Sequence, residues 1–327
     1  MIDGHGDDRH LFGGISINFS SNIYSHADLS ELREHLAGCL DVIGSYPEPA
    51  PLTLESLIAR TEGIEADQVL VTSGATDAIY LLAQTFCHMQ AYEVKHPTFS
   101  EYDDACRLFG MTEGLGAPVC WICNPNNPTG AVLPPDEVKQ LARRHQLLLV
   151  DQSYEDYTLA PLLSPQEAIG CGNIILIHSM TKRYAVPGLR LGYLTAPAPL
   201  LSEVRRHCRP WAVNALAIEA GKWLLQRRFR LMSHLSAYLD EAQRLGRRLG
   251  SVEGISVMPT QTNFMLCTIE QATAAELKQW LALERGMLIR DASNFRSLTP
   301  HHFRVAAGLP CENSALVKAI HQFLSTK

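Results

Sequence analysis

No apolar run in the 327-residue sequence approaches the roughly 18 residues that a membrane-spanning helix requires. Nor is there an excess of positive charge. Lys and Arg number 28 against 34 Asp and Glu, a formal net charge of −6, which argues against a nucleic-acid partner held by phosphate neutralisation. The opening stretch from Met1 to Asp8 is polar and acidic and lacks the apolar core of a secretory signal. Nine cysteines, an odd count without regular spacing, do not make a secreted disulfide framework. HExxH, GxGxxG and Walker loops are all missing, so their zinc, dinucleotide and nucleoside-triphosphate chemistries are not indicated. These absences predict a soluble, cytoplasmic protein with no membrane partner, no nucleic-acid partner and no bound metal.

What remains is a globular composition, 46% hydrophobic and 19% charged, in a 36.2 kDa chain long enough for one to three domains. The single CxxC, Cys120-Trp121-Ile122-Cys123, lies in a run that reads as a buried strand. Residues three apart on a strand face opposite sides, so both are read as core cysteines rather than a redox pair or half a zinc site. The arginine clusters Arg205-Arg206, Arg227-Arg228, Arg230 and Arg247-Arg248 are interspersed with Glu203, Asp240 and Glu241. They read as solvated helix faces.

Short β-rich runs alternate with helical patterns over the first two thirds. Strands are expected at Val69–Thr72, Tyr92–Lys95, Val119–Cys123, Leu147–Val150, Ile174–Ile177 and Leu191–Thr195. Helices are expected at Ala78–Phe86 and Pro135–His145. This alternation predicts an α/β unit with a mostly parallel sheet. From Asn214 to Gly250 the pattern is long and helical. Short strands at Ile255–Met258, Phe264–Thr268 and Met287–Arg290, a helix at Ala274–Glu284 and a closing helix from Asn313 complete a smaller α+β unit.

Four strand ends carry chemistry. The first is Ser73-Gly74-Ala75-Thr76-Asp77, a glycine turn into a helix, which presents backbone N–H groups to an anion. Asp77 reads as a cap there, and its carboxylate must point away from any phosphate. The second is Asn124-Pro125-Asn126-Asn127-Pro128-Thr129-Gly130, a rigid loop leaving the edge of the sheet where ligands bind. The third is Asp151, followed by Tyr154; a carboxylate just past an apolar strand needs a cationic or N–H partner, although a structural ion pair would serve equally. The fourth is Ser179-Met180-Thr181-Lys182, with Arg190 downstream. A strand-end lysine can form a Schiff base, and an arginine offers a forked donor to phosphate.

The order and spacing of these residues, 24 from Asn127 to Asp151, 31 to Lys182 and 8 to Arg190, resembles the fold-type I pyridoxal-phosphate enzymes of the class I/II aminotransferase group. The resemblance implies a three-layer large domain with a mostly parallel sheet and a smaller α+β C-terminal domain. In outline, residues 1–40 would be an N-terminal arm and part of the small domain, 41–215 the large cofactor-binding domain, and 216–327 the small domain. By the same resemblance the cofactor is pyridoxal 5'-phosphate, Schiff-based to Lys182, which later shuttles the Cα proton. Asp151 would pair with the ring nitrogen, and Asn127 and Tyr154 with the ring oxygen. Gly74, Ala75, Thr76, Ser179 and Arg190 would hold the phosphate, and Phe99 would stack on the ring. Tyr46 would reach the phosphate in a neighbouring subunit, implying a homodimer with shared sites. Arg304 would clamp the substrate carboxylate; Arg290 and Asn22 would contact the rest of a small amino-acid substrate.

Within the group the sequence is similar to histidinol-phosphate aminotransferases and threonine-phosphate decarboxylases. Asn18-Phe19-Ser20-Ser21-Asn22-Ile23, Arg290-Asp291-Ala292-Ser293-Asn294-Phe295 and His5-Gly6 lean toward the decarboxylases. Two departures stand out. His5-Gly6-Asp7-Asp8 replaces the relatives' His-Gly-Gly-Asn, and two acids would repel a substrate phosphate. The stretch from Phe109 to Val119 is short, so an edge strand is expected to be missing. The sequence reading places transamination of a small, possibly phosphorylated amino acid first and decarboxylation of threonine phosphate second. A catalytically silent ligand-binding homologue is disfavoured by the presence of Lys182, Asp151 and Arg190.

Overall fold

A computed structural model describes residues 8–227 and 235–325. The strands, in chain order, are β1 (Ile17–Asn18), β2 (Val69–Thr72), β3 (Ala91–Val94), β4 (Thr112–Glu113), β5 (Val119–Cys123), β6 (Leu147–Asp151), β7 (Ile174–His178), β8 (Gly192–Thr195), β9 (Ile255–Val257), β10 (Phe264–Ile269), β11 (Met287–Leu288), β12 (Arg290–Asp291) and β13 (His302–Ala306).

The larger sheet has the order β2-β8-β7-β6-β5-β3-β4. Its pairs from β7 through β4 are parallel, and β8 alone runs antiparallel to its neighbours. Its central strands β5, β6 and β7 are apolar on both faces because helices cover both sides. On one side Trp121, Cys123, Leu147, Leu149 and Ile177 pack with Ile79, Leu82 and Phe86 of helix Ala75–Phe86 and with Tyr102 of helix Glu101–Leu108. On the other, Cys120, Ile122, Leu148 and Val150 pack with Val138 of helix Pro135–Ala142 and Ala168 of helix Pro165–Cys171. Cys120 and Cys123 therefore belong to opposite layers. Burial pushes the thiols of both upward, that of Cys120 to about 12, as the sequence reading of core cysteines requires.

The smaller sheet is antiparallel, β12-β13-β10-β9, and packs against helices Leu235–Gly250, Ala274–Arg285 and Pro310–Leu324. Near the chain start, β1 pairs parallel with β11, and Phe19 enters this smaller core. Helix Ala215–Gln226, by contrast, buries Ala217, Ile218 and Leu224 with Leu54, Val69 and Leu191 against the larger sheet. The division expected at 215/216 thus falls at the start of a helix that packs with the larger sheet.

Three local expectations need correction. Met287–Arg290 is not one strand: β11 pairs with β1 and β12 with β13, so the chain changes partner at Ile289. The edge strand expected to be absent is present as the two-residue β4, paired through Ala91 and Thr112 and followed by a turn in which Gly116 N–H donates to Glu93 Oε2 (2.6 Å). The helical stretch from Asn214 to Gly250 is interrupted: among the described residues helix Ala215–Gln226 ends with Arg227 as its C-cap, and helix Leu235–Gly250 follows; Arg228 and Arg230 lie outside the described residues. Among the described residues, no helix is long and apolar enough to cross a membrane.

Candidate active site

The C-terminal ends of β5, β6 and β7 open onto a cavity of about 380 Å³, closed on the far side by residues 20–23 and by β12 and β13. Apart from Gly74 and Tyr46, every site residue expected from the sequence lines it: Asn22, Ala75, Thr76, Phe99, Asn127, Asp151, Tyr154, Ser179, Lys182, Arg190, Arg290 and Arg304.

Gly74 sits just behind this wall. Its φ of +88° turns the chain from β2 into helix Ala75–Phe86, and a Cβ there would come within 2.7 Å of Arg190 Nη2. Glycine is thus what lets the Arg190 guanidinium lie against the start of that helix, where backbone N–H groups and the helix dipole also favour an anion. Asp77 accepts the Ser73 N–H (2.9 Å), which makes it the local cap expected. Arg190 itself has a φ of +58° and donates to Pro187 O (3.2 Å).

The three asparagines of the 124–130 loop divide the work. Asn124 closes the loop on itself, donating to Leu133 O (2.9 Å) and accepting Leu133 N–H (2.8 Å). Asn126 ties the loop to the turn before Phe99, accepting from Thr98 Oγ1 (2.8 Å) and donating to Pro97 O (3.0 Å). Asn127 faces the cavity and accepts from Arg304 Nη1 through its side-chain oxygen.

Asp151 ends β6 fully buried. Its two oxygens accept from the Ser153 N–H (2.8 Å) and the Tyr102 hydroxyl (2.7 Å). Burial pushes its carboxyl above the usual range, opposed by these two donors and by the charge of Lys182. Tyr154, pushed up to about 12 by burial, stands edge-on to Phe264, and Lys182 Nζ lies 6.0 Å from the centre of its ring. Tyr157 donates to Lys182 O (3.0 Å) and accepts Tyr24 N–H (3.0 Å), fastening the lysine turn to the N-terminal segment.

Arg290 and Arg304 are directly opposed in the register of β12 and β13, and both are buried. Arg304 donates to Ser20 O (2.7 Å) and Asn127, while its buried Nε has no partner. Burial pulls it down to about 10, with Arg290 acting the same way. Arg290 donates to Asn294 Oδ1 (2.7 Å) and lies 5.4 Å from the Phe295 ring. Like charges opposed across strands are unfavourable; the carboxylates of Asp291 and Asp8 offset this at Arg290, and the wall still presents two buried guanidinium groups to the cavity. Asn22 adds two buried polar atoms with no partner. Of the opening motif, His5, Gly6 and Asp7 lie outside the described residues. Asp8 is ion-paired with Lys278, which offsets the charge expected to repel a phosphate.

Tyr46 is 83% exposed and lies 5.1 Å from the Trp211 ring, on the surface of this chain. Tyr102, Tyr157 and the Ser20 carbonyl were not found from the sequence. Tyr102 sits inside a helix away from any strand end, Tyr157 lies one turn beyond the Asp151 and Tyr154 strand end, and a backbone acceptor leaves no residue-type signal.

The arrangement suits pyridoxal phosphate. It offers hydroxyls, backbone N–H groups and Arg190, a buried carboxylate, an amine near a tyrosine, and orphaned polar atoms of Asn22 and Arg304 in the wall that closes the far side. The sequence profile described as Aminotransferase class I and II matches residues 15–113 and 113–320. The chain is 27% identical over an alignment of 320 positions to a histidinol-phosphate aminotransferase of Desulfitobacterium hafniense, covering 89% of this chain and 87% of that one. It is 27% identical over an alignment of 340 positions to a threonine-phosphate decarboxylase of Salmonella typhimurium, covering 94% of this chain and 91% of that one. The crystal structure of an L-threonine-O-3-phosphate decarboxylase from Porphyromonas gingivalis superposes with a TM-score of 0.90 at 34% identity, covering 94% of this chain and 99% of that one.

Proposed function

Because the chain belongs to the class I and II aminotransferase family, whose cofactor is pyridoxal phosphate, we propose that it acts on a small amino acid bearing a phosphate, and that it removes the carboxyl group rather than transferring the amine. The observation that carries the substrate class is the opposed pair Arg290 and Arg304, two buried cations in one wall. A substrate with a carboxylate at one end and a phosphate at the other answers both. Ranking decarboxylation ahead of transamination reverses the order reached from the sequence. It is supported by the 34% identity over 94% of the chain to a threonine-phosphate decarboxylase. Transamination stays the second reading, supported by the relatives that are histidinol-phosphate aminotransferases.

When bound, the cofactor supplies an aldehyde carbon and an electron-withdrawing ring that stabilises charge at the substrate Cα. Lys182 is its covalent tether and moves the proton at Cα. Asp151 keeps the ring nitrogen protonated, held in register by Tyr102 and Ser153. The Asn127 oxygen is taken by Arg304, so its amide N–H is the group left for the ring oxygen, beside the Tyr154 hydroxyl. Thr76, Ser179, Arg190 and the start of helix Ala75–Phe86 hold the phosphate, and Phe99 packs on the ring. Arg304 takes the substrate carboxylate and Arg290 the distal phosphate, with Asn22 between. Together these anchors would set the orientation of the substrate at Cα and so which of its bonds is open to cleavage. The molecule works as a homodimer in which Tyr46 serves the neighbouring subunit, a reading supported by its exposure beside exposed Ile43, Leu40 and Trp211.

The holoenzyme is expected to be yellow and to take a borohydride label at Lys182. Lys182→Ala should lose the label and slow turnover by about 10²–10⁴-fold. With O-phospho-L-threonine, carbon dioxide should form while the cofactor stays an aldehyde. Conversion of the cofactor to its amine form with release of a keto acid would establish transamination instead.

A further inference from the structure

His96, Asp103 and Glu113 meet Arg296, which is 200 positions from His96 in the sequence, next to the turns that carry the cavity-lining residues Phe99 and Phe295. Glu113 ends β4, the two-residue edge strand. His96 stands in the turn between β3 and Phe99, and Arg296 follows Phe295 directly. Arg296 Nη1 donates to Glu113 Oε2 and lies 3.2 Å from His96 Nε2. The same His96 nitrogen lies 3.2 Å from Glu113 Oε1 and 3.5 Å from Asp103 Oδ2. Asp103 is fixed in turn by the Tyr92 hydroxyl (3.0 Å). Arg296 holds the Glu113 carboxyl below the usual carboxylate range.

Each side of this cluster is fastened to a wall of the cavity. The turn carrying His96 is tied to the asparagine loop through Pro97 O and Thr98, and leads into Phe99. The turn carrying Arg296 also holds Asn294, bonded to Arg290, and Phe295, which lies against the Arg290 guanidinium. The cluster thus joins the cofactor wall to the substrate wall across the edge of the larger sheet. Arg296 is 51% side-chain exposed, and a pair so exposed adds little to global stability. What it does constrain is the distance between two turns.

We infer that Glu113, His96 and Arg296 form a clamp that sets how closely the Asn294–Phe295 turn closes on the cavity, making Glu113 and Arg296 positioning residues for the distal end of the substrate. The inference rests on the reading that Arg290 receives that end. A substrate anchored through Arg290 needs Asn294 and Phe295 in place before it binds. Loosening the turn therefore weakens binding and leaves the events at Lys182 untouched.

The test uses holoenzyme variants Arg296→Ala, Glu113→Gln, Arg296→Lys and the charge exchange Glu113→Arg with Arg296→Glu. The two single losses should raise KM for O-phospho-L-threonine about fivefold at unchanged kcat, with full borohydride labelling of Lys182. Arg296→Lys and the exchanged pair should recover most of that affinity. An unchanged KM in both single losses, a defect confined to kcat, or an exchange no better than either single variant would overturn the clamp. Hydrogen exchange across residues 292–299 gives a readout independent of substrate. It should quicken in Arg296→Ala, and unaltered exchange would also overturn the proposal. If the wild type turns over no phosphorylated amino acid while that exchange quickens, the substrate reading fails and the clamp stands.

Discussion

Asp151 depends on two donors, and one of them, the Tyr102 hydroxyl at 2.7 Å, comes from another element. Tyr102→Phe keeps the ring stacked on Trp121 and removes only that donor. Loss of a hydrogen bond to a buried acceptor should cost about 1–3 kcal/mol, read by urea unfolding of the cofactor-free protein. The pH dependence has a defined sign. Burial already raises the Asp151 carboxyl and the Tyr102 bond opposes the rise, so the variant should raise it further. A carboxyl whose pKa is higher folded than unfolded costs stability above its unfolded value, near about 3.9, because the unfolded chain ionises freely there. The gap between variant and wild type should therefore be small below that pH and widen above it; a gap that narrows as pH rises would refute the assignment. Lys182, Asp151, Asn127 and Arg190 could be read from the sequence because each is a polar residue at the end of an apolar run. Tyr102 could not, because a tyrosine inside an amphipathic helix carries no mark of which strand end it faces.

Among the elements, helix Pro165–Cys171 shows how a short connection is kept in register. Ser164 and Glu167 form a reciprocal cap, Ser164 accepting Glu167 N–H (3.3 Å) and Glu167 accepting Ser164 N–H (3.0 Å), and Lys139 of the preceding helix donates to Glu167 (2.8 Å). Lys139 and the Ser164 donors bring the Glu167 carboxyl down to about 2. Its support is present above the unfolded value and fades as pH falls toward that figure. Glu167→Gln keeps an N3 acceptor but loses the exposed ion pair with Lys139, so it should lower the melting temperature slightly near neutral pH, at a cost of about 0.5 kcal/mol, and lose its effect in acid. The principal strands were legible to within a residue or two, because buried parallel strands are continuous apolar runs. The smallest elements were not. β4 has two exposed residues, and its existence rests on pairing with β3 rather than on its own pattern. The Met287–Arg290 run looked continuous because a change of partner at Ile289 leaves the apolar pattern intact.

For the whole molecule, the proposed homodimer predicts a solution mass of twice the 36.2 kDa chain by sedimentation. Disrupting the exposed Tyr46–Trp211 surface with Trp211→Glu should lower both that mass and cofactor retention; a monomeric, fully yellow wild type would count against shared sites. The fold class was legible from the alternation of strands and helices, but the spatial order of the strands was not, since parallel neighbours are set by crossovers that leave no local trace. The partition of the chain was partly hidden for the same reason: β1 and Phe19, near the start, build the smaller core with residues from the last third. That pairing has a consequence for synthesis. Ser16 and Gly286, which bond beside it, are 270 positions apart, and at about 5–20 residues per second on the ribosome the first strand waits on the order of tens of seconds for its partner. Lys182, Asp151 and the turn at Gly74 emerge well before then. The nascent chain thus passes through a stage in which the strand ends of the larger sheet have emerged but the wall that carries Arg290 and Arg304 has not, and the arrival of these two arginines ends that stage.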